Sequence, residues 1–301
     1  MKNNFTNKIA IGTVQFGVSY GVSNDGGQTS KHEVNKILQY AHDVGINTLD
    51  TASNYGCSEA VIGDFIQNNN NLLDFDIVTK IPNFPGDSIN DYNICELIEN
   101  FKLSCEKLGK IFIYGLHIHN CENLFLPGGD KLLREIEQLK IDGFIKKIGI
   151  SVYNSDQIDR ILDNFSIDLI QIPINILDQR LVNSGHLSKL KHNDIEIHAR
   201  SVFLQGLLLM PIENIDPWFD PIKKVLYRFN IEARKRNLSA LQLAFGFVQN
   251  IPEVDKIIVG VNTLKQLKEI VNIESTYFDP SEFSCLSVDN LKFINPSNWN
   301  P

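Results

Sequence analysis

Sulfur is scarce here and badly placed to hold a fold together. Cys57, Cys95, Cys105, Cys121 and Cys285 are odd in number and form no C-x-x-C pair, which argues against a disulfide framework and a zinc ribbon and fits a reducing cytoplasm. Positive charge is short as well. Lys and Arg total 28 against 36 Asp and Glu, a formal charge of −8 and the wrong sign for a phosphate-backbone binder, so no nucleic-acid partner is expected. Long apolar runs are missing. The most apolar stretch, Phe203 to Met210, is far below the roughly 20 residues a bilayer crossing takes. Met1-Lys2-Asn3-Asn4 leads into only a short apolar segment, so neither a membrane partner nor an export signal is expected. Two nucleotide signatures are also absent: the chain shows no P-loop, and its first glycines read Gly12-Thr-Val-Gln-Phe-Gly17 rather than G-x-G-x-x-G.

What is present suffices for a large core. Of 301 residues 43% are hydrophobic and 21% charged, which excludes a disordered or fibrous chain. Short β-branched runs recur at 8–12, 46–50, 76–80, 111–115, 147–151, 169–173, 195–198 and 256–260. Between them apolar residues return three or four apart, as in Val34, Ile37, Leu38, Ala41 and Val44, the spacing of helices packed on one face. Strand alternating with helix predicts parallel strands joined by right-handed crossovers, and eight repeats predict closure into one (β/α)8 barrel over residues 1–301. A doubly wound open sheet is the rival. The stretch between the seventh and eighth strands is long, with Pro211, Pro217 and Pro221 in an irregular part. Helices are expected at 222–235 and 239–249, the second capped by Ser239. The Asn68 to Asn71 run reads as a helix end and polar turn.

In a parallel barrel the loops after the strands converge on one mouth, so chemistry is sought at the strands' carboxyl ends. After the second strand stands Asp50-Thr-Ala-Ser-Asn-Tyr55-Gly56-Cys-Ser58-Glu59, after the third Lys80, and after the fourth His117 and His119. Any one of them alone is more commonly a cap, a packed ring or a solvated charge; the combination carries the reading. The pattern from Leu49-Asp50-Thr51-Ala52 through Tyr55-Gly56 and Ser58-Glu59 to Ile62-Gly63 resembles the aldo-keto reductases, NAD(P)H-dependent carbonyl reductases built on a TIM barrel. Val78-Thr79-Lys80, Gly149-Ile-Ser151, Gln171 and Ser201 with Gly206-Leu207-Leu208 follow in family order. The likeness covers nearly the whole length.

The resemblance implies a catalytic tetrad of Asp50, Tyr55, Lys80 and a histidine. A carbonyl accepting hydride develops alkoxide charge, so an acid must stand beside its oxygen. A tyrosine at a pKa of about 10 would need roughly 4 kcal/mol of preferential phenolate stabilisation to approach 7, which Lys80 would supply with Asp50 holding it. His117 and His119 share parity on one strand and face the same way. His119 is chosen because the family often carries an acid three residues on, here Glu122. An H-x-H pair also suits metals, but too few further ligands follow at later strand ends, so no metal is expected.

The same resemblance implies that Ser151 and Gln171 face the nicotinamide carboxamide, with Asp50 also among the cofactor-binding residues and Asn154 filling in for a commoner neighbour of the serine. Arg200 stands where many members stack an aromatic ring. Ser201, Phe203 and Gln205 would line the pyrophosphate, and Gly12 and Thr13 would close the site. Gly260, Asn262, Lys265, Gln266 and Glu269 would form the adenosine end, where the family's basic pair is not reproduced and Lys265 and Lys268 are the candidates for a 2′-phosphate. The expected cofactor is NADPH, with NADH open, and the expected partner a small-molecule carbonyl whose specificity lies in residues 82–85 and 204–221. The family fold also serves as a cofactor-bound regulatory subunit beside ion channels, the alternative reading, and a lyase using Lys80 as a Schiff base is a third. A sugar-type substrate is the family-based guess.

Overall fold

Each apolar run becomes a strand. In the computed structural model, which describes residues 5–69, 74–274 and 276–299, these are β1 (Ile9–Gly12), β2 (Thr48–Asp50), β3 (Asp76–Lys80), β4 (Ile113–Ile118), β5 (Ile145–Ser151), β6 (Leu169–Pro173), β7 (Glu196–Arg200) and β8 (Lys256–Gly260). All neighbours pair in parallel and β8 returns to β1, closing the barrel. The open-sheet rival is thereby excluded. Strand residues are buried on both faces, which is why they read as continuous apolar runs rather than alternating ones. Boundaries shift where packing ends: Ile111 and Phe112 remain exposed before β4, and β7 runs on to Arg200.

Helices fill the connections in chain order: α1 (Val14–Gly17), α2 (Lys31–Asp43), α3 (Ser58–Asn68), α4 (Asp91–Leu108), α5 (Asp130–Ile141) and α6 (Ser155–Asn164). They continue as α7 (Arg180–Asn183), α8 (His186–His192), α9 (Lys223–Lys235), α10 (Ala240–Gln249), α11 (Leu264–Val271) and α12 (Leu291–Ile294). Their amphipathic faces bury against the barrel: Val34, Ile37, Leu38 and Ala41 of α2 are all inaccessible. Polar caps start them where expected. Ser239 accepts from Gln242 N in a reciprocal capping box, satisfying donors that the first turn leaves free. The Asn run begins as a helix end, with Asn68 closing α3; Asn70 and Asn71 lie outside the described residues.

The β7 to β8 connection is the insertion anticipated: three 3₁₀ turns over 204–222 precede α9 and α10. Four non-glycine residues within it, Ser201, Leu204, Gln205 and Asn237, have φ of 60°, 47°, 53° and 55°. Left-handed conformations cost such residues on the order of 1 kcal/mol each. The amino end of the barrel interior is polar instead of aliphatic. Glu196 accepts hydrogen bonds from the Tyr114 hydroxyl at 2.8 Å and from His198 Nε2 at 2.6 Å, and pairs with Lys147. Burial alone would raise this carboxyl, but the bonds from His198 and Lys147 outweigh it and hold it well below the ordinary range.

Candidate active site

Strand register brings the expected residues to one end. Gly12 pairs with both Asp50 and Gly260, Lys80 with His117, Ser151 with Gln171, and Pro173 with Arg200. Above them opens a cavity of about 710 Å³, within the roughly 300–1,000 Å³ of small-molecule sites.

Asp50 ends β2, and Tyr55 sits on the turn that follows. Lys80 ends β3 and is fully buried, its ammonium donating to both Asp50 oxygens at 2.8 and 2.9 Å and to the Thr51 carbonyl at 2.8 Å. Burial pushes the ammonium towards neutrality, yet Asp50 and Tyr55 beside it more than offset this and hold it above its ordinary value. A lysine so tied is a fixed positive field and no nucleophile, which disfavours the Schiff-base lyase. Lys80 Nζ lies 5.1 Å from the centre of the Tyr55 ring.

Here the structure corrects an expectation. Tyr55 was anticipated to be drawn down towards neutrality, but burial raises its hydroxyl, and the opposing pull of Lys80 does not bring it back below its ordinary value. The phenol therefore keeps its proton at neutral pH, which is what a proton donor requires.

The two histidines separate by depth. His119 lies one residue beyond β4 and lines the cavity, its ring edge-on to Tyr55 with centroids 6.4 Å apart. Burial, reinforced by Lys80, pushes it down to about 4, so it stands as a neutral donor. His117 is wholly buried below. A Cβ at Gly149 would fall 2.4 Å from its ring, so only glycine admits the ring there. Glu122, the acid used to select His119, accepts from Gln157 Nε2 and Arg160 Nη1 and so ties the β4 loop to α6.

Of the residues proposed for a cofactor, Gly12, Thr13, Asp50, Ser151, Gln171, Arg200, Ser201, Phe203, Gln205, Gly260, Asn262, Gln266 and Glu269 all line this cavity. Three of its wall residues carry buried polar atoms without a protein partner: Ser151 Oγ, Asn262 Oδ1 and Gln15 Oε1. Buried groups left so cost about 1–3 kcal/mol each, and a ligand rich in amide, hydroxyl and phosphate groups would satisfy them, so the donor set fits a dinucleotide. Gln171 donates to Asp50 Oδ1 at 2.7 Å, linking the expected carboxamide site to the tetrad.

Other expectations are not met. Asn154 does not line the cavity; its Oδ1 accepts from Gln157 N and caps α6. Tyr153 occupies the wall instead, with the Arg200 guanidinium stacked 4.3 Å from its ring centre. Lys265 does not line the cavity and is 86% exposed, 3.9 Å from Glu269, and Lys268 does not line it either, lying over the Tyr40 ring. Residues 82–85 do not line the cavity either; Phe84 among them is buried, its N–H and carbonyl both bonded to the Asn123 side chain. Sequence reasoning overlooked Gln15, Tyr20 and Tyr153, which line the wall. Their one signal was position after a strand, shared with many residues of no consequence.

Comparison with known proteins follows the same line. The model of the Aldo/keto reductase family matches residues 8–287. An uncharacterized oxidoreductase, YqkF of Bacillus subtilis, is 28% identical over 258 residues, covering 80% of this chain and 82% of that protein. The NADH-specific methylglyoxal reductase of Escherichia coli is 28% identical over 193 residues, 58% of this chain and 57% of that one. Among solved structures, the aldo-keto reductase AKR11C1 from Bacillus halodurans superposes with a TM-score of 0.73 at 18% identity, over 97% of this chain and 95% of that one. The glycerol dehydrogenase AKR11B4 from Gluconobacter oxydans gives 0.71 at 21%, over 98% and 94%.

Proposed function

Because this chain belongs to the aldo-keto reductase family and is an NAD(P)H-dependent oxidoreductase, we propose that it reduces an aldehyde or ketone to an alcohol, with Tyr55 as proton donor. The observation that carries the reading is the buried Asp50 to Lys80 pair set against the Tyr55 ring in the same cavity as His119. When bound, a nicotinamide dinucleotide supplies the hydride. The protein's share is positional and electrostatic. His119, neutral and a donor, orients the carbonyl oxygen. Tyr55 delivers its proton to that oxygen as negative charge develops, and Lys80 stabilises the phenolate left behind.

Ser151, Gln171 and Asp50 would hold the carboxamide, the Arg200 guanidinium would stack under the nicotinamide, and Ser201, Phe203 and Gln205 would line the inner phosphates, with Gly12 and Thr13 beneath. The adenosine end under β8 would be formed by Gly260, Asn262, Gln266 and Glu269. Its one charged wall residue is a carboxylate, Glu269, and Lys265 does not line it. That supports NADH at least as well as NADPH. The NADH-specific methylglyoxal reductase among the relatives points the same way. A hydroxyl-bearing, sugar-type carbonyl suits the polar walls from Tyr20 and Gln205, which bond to each other at 3.1 Å. D-arabinose 1-dehydrogenase of Saccharomyces cerevisiae, 33% identical over 123 residues, is a relative whose name fits that class. The test is a screen of short aldehydes, ketones and aldoses with NADH and NADPH side by side. Turnover with several carbonyls is expected, and cofactor binding without turnover on any would favour a non-catalytic role.

A further inference from the structure

Residues 288–299 lie beyond the stretch that the family model matches, yet they are packed onto the fold. Val288 N donates to the Leu177 carbonyl at 2.8 Å, and α12 buries Phe293 and Ile294. Four aromatic rings then close on one another between this tail and the outer end of the β7 to β8 insertion. Trp218 meets Phe219 at 4.8 Å between ring centres and Phe293 at 5.3 Å, and Phe219 meets Trp299 at 4.9 Å. Each pair is edge-on, an arrangement that aromatic rings favour. The Trp299 indole Nε1 donates to the Phe293 carbonyl at 3.2 Å, and the Lys292 ammonium stands 4.9 Å from the centre of the Trp218 ring. Both tryptophans of the chain are in this cluster. None of the four rings lines the cavity, so contact with substrate or cofactor does not account for them.

The inner end of the same insertion is where Ser201, Phe203, Gln205 and Gly206 line the cavity, and where Ser201, Leu204 and Gln205 take left-handed φ. Strained backbone of this kind persists only where its surroundings hold it. The insertion's own backbone supplies little of that hold, since over 204–222 it forms only short 3₁₀ turns, and Pro211, Pro217 and Pro221 each lack a donor. Side-chain packing has to supply the rest. The prolines also fix φ, so the segment between Gly206 and Phe219 transmits a displacement and does not absorb it. Phe219, 1% exposed, is where the tail grips that segment.

We propose that Trp299 and Trp218 are positioning residues: by clasping the outer end of the insertion they hold the strained turn at 201–205 in the form that seats the pyrophosphate of a nicotinamide dinucleotide, so that the tail sets how fast the cofactor leaves. The inference rests on the dinucleotide reading of the cavity. It adds to that reading a segment that touches neither cofactor nor substrate.

Wild type, Trp299→Ala and Trp299→Phe are titrated with NADH and NADPH through the cofactor's own fluorescence, and release is followed by stopped flow. Trp299→Ala is expected to raise the dissociation constant of the tighter dinucleotide about tenfold, chiefly through faster release, as the loss of aromatic contacts allows. At saturating cofactor its KM for a carbonyl moves less than about twofold, because the tail acts on the pyrophosphate turn and not on the carbonyl. Trp299→Phe, which keeps a ring against Phe219, restores most of the affinity. Coupling between sites is reciprocal. Bound cofactor therefore slows hydrogen exchange at the amides of Phe293, Asn295 and Trp299, each bonded within the tail, by a comparable factor in wild type. Unchanged release in a folded Trp299→Ala, or tail exchange indifferent to cofactor in wild type, overturns the proposal and leaves the reductase reading standing. If Trp299→Ala does not fold, the exchange measurement on wild type decides alone. Release that depends on the tail without turnover of any carbonyl supports the clasp and faults the reductase reading, and failure of wild type to bind either dinucleotide overturns both.

Discussion

At the scale of single residues, protonation state decides what each group does. Tyr55 is held above its ordinary value and His119 is pushed down to about 4, so in reduction the acid is a phenol and its neighbour a neutral imidazole. The active form persists until Tyr55 ionises. Accordingly kcat/KM for carbonyl reduction should be level from about pH 6 to about pH 9 and fall only above about pH 10; a decline centred near pH 7 in the pH profile would place Tyr55 in the wrong charge state. The two histidines make a second test. His119→Ala should lower kcat/KM about 10- to 100-fold with little loss of stability. His117→Ala, which empties a core position against Gly149, should cost about 2–4 kcal/mol in denaturant unfolding with a smaller effect on turnover. The opposite ranking would mean that the wrong imidazole has been assigned. These roles were legible because Asp50, Tyr55 and Lys80 each follow a recognisable strand. The direction of the Tyr55 shift was not, since burial is a property of the assembled cavity.

Among elements, the strands were the most readable, since burial on both faces leaves uninterrupted Ile, Val and Leu runs. Loops were less so. Residues 82–85 looked free to shape specificity, yet Asn123, 39 positions beyond Phe84, locks them down. The strained turn at Ser201 to Gln205 also carries no local sequence mark, being imposed by its surroundings. Gly17 shows how a contact between elements positions the proton donor. A Cβ there would lie 1.6 Å from the Tyr55 carbonyl oxygen, so the end of α1 presses directly on the turn that carries the phenol. Gly17→Ala should push that turn away and reduce kcat about a hundredfold, the scale of a misplacement of about 1 Å, with cofactor affinity less affected in fluorescence titration. At α11, replacing Lys265 and Lys268 with alanine should leave the ratio of NADPH to NADH dissociation constants within about twofold, because neither side chain lines the cavity; a loss of NADPH affinity alone would return them to the cofactor.

For the whole molecule, eight repeats predicted closure, and closure is what gathers groups from β2, β3, β4 and β7 at one mouth. The polar floor around Glu196 was not anticipated, since Tyr114, Lys147, His198 and Glu196 come from three strands and converge only in the barrel. The account's central claim is that Tyr55 supplies the proton to a carbonyl reduced by nicotinamide hydride. The most direct measurement is single-turnover cofactor oxidation by wild type and Tyr55→Phe, each pre-loaded with reduced cofactor and mixed with the best aldehyde of the screen. The account predicts a loss of at least about a hundredfold in the chemical step with cofactor dissociation constants unchanged; a variant retaining more than half the wild-type rate would contradict it.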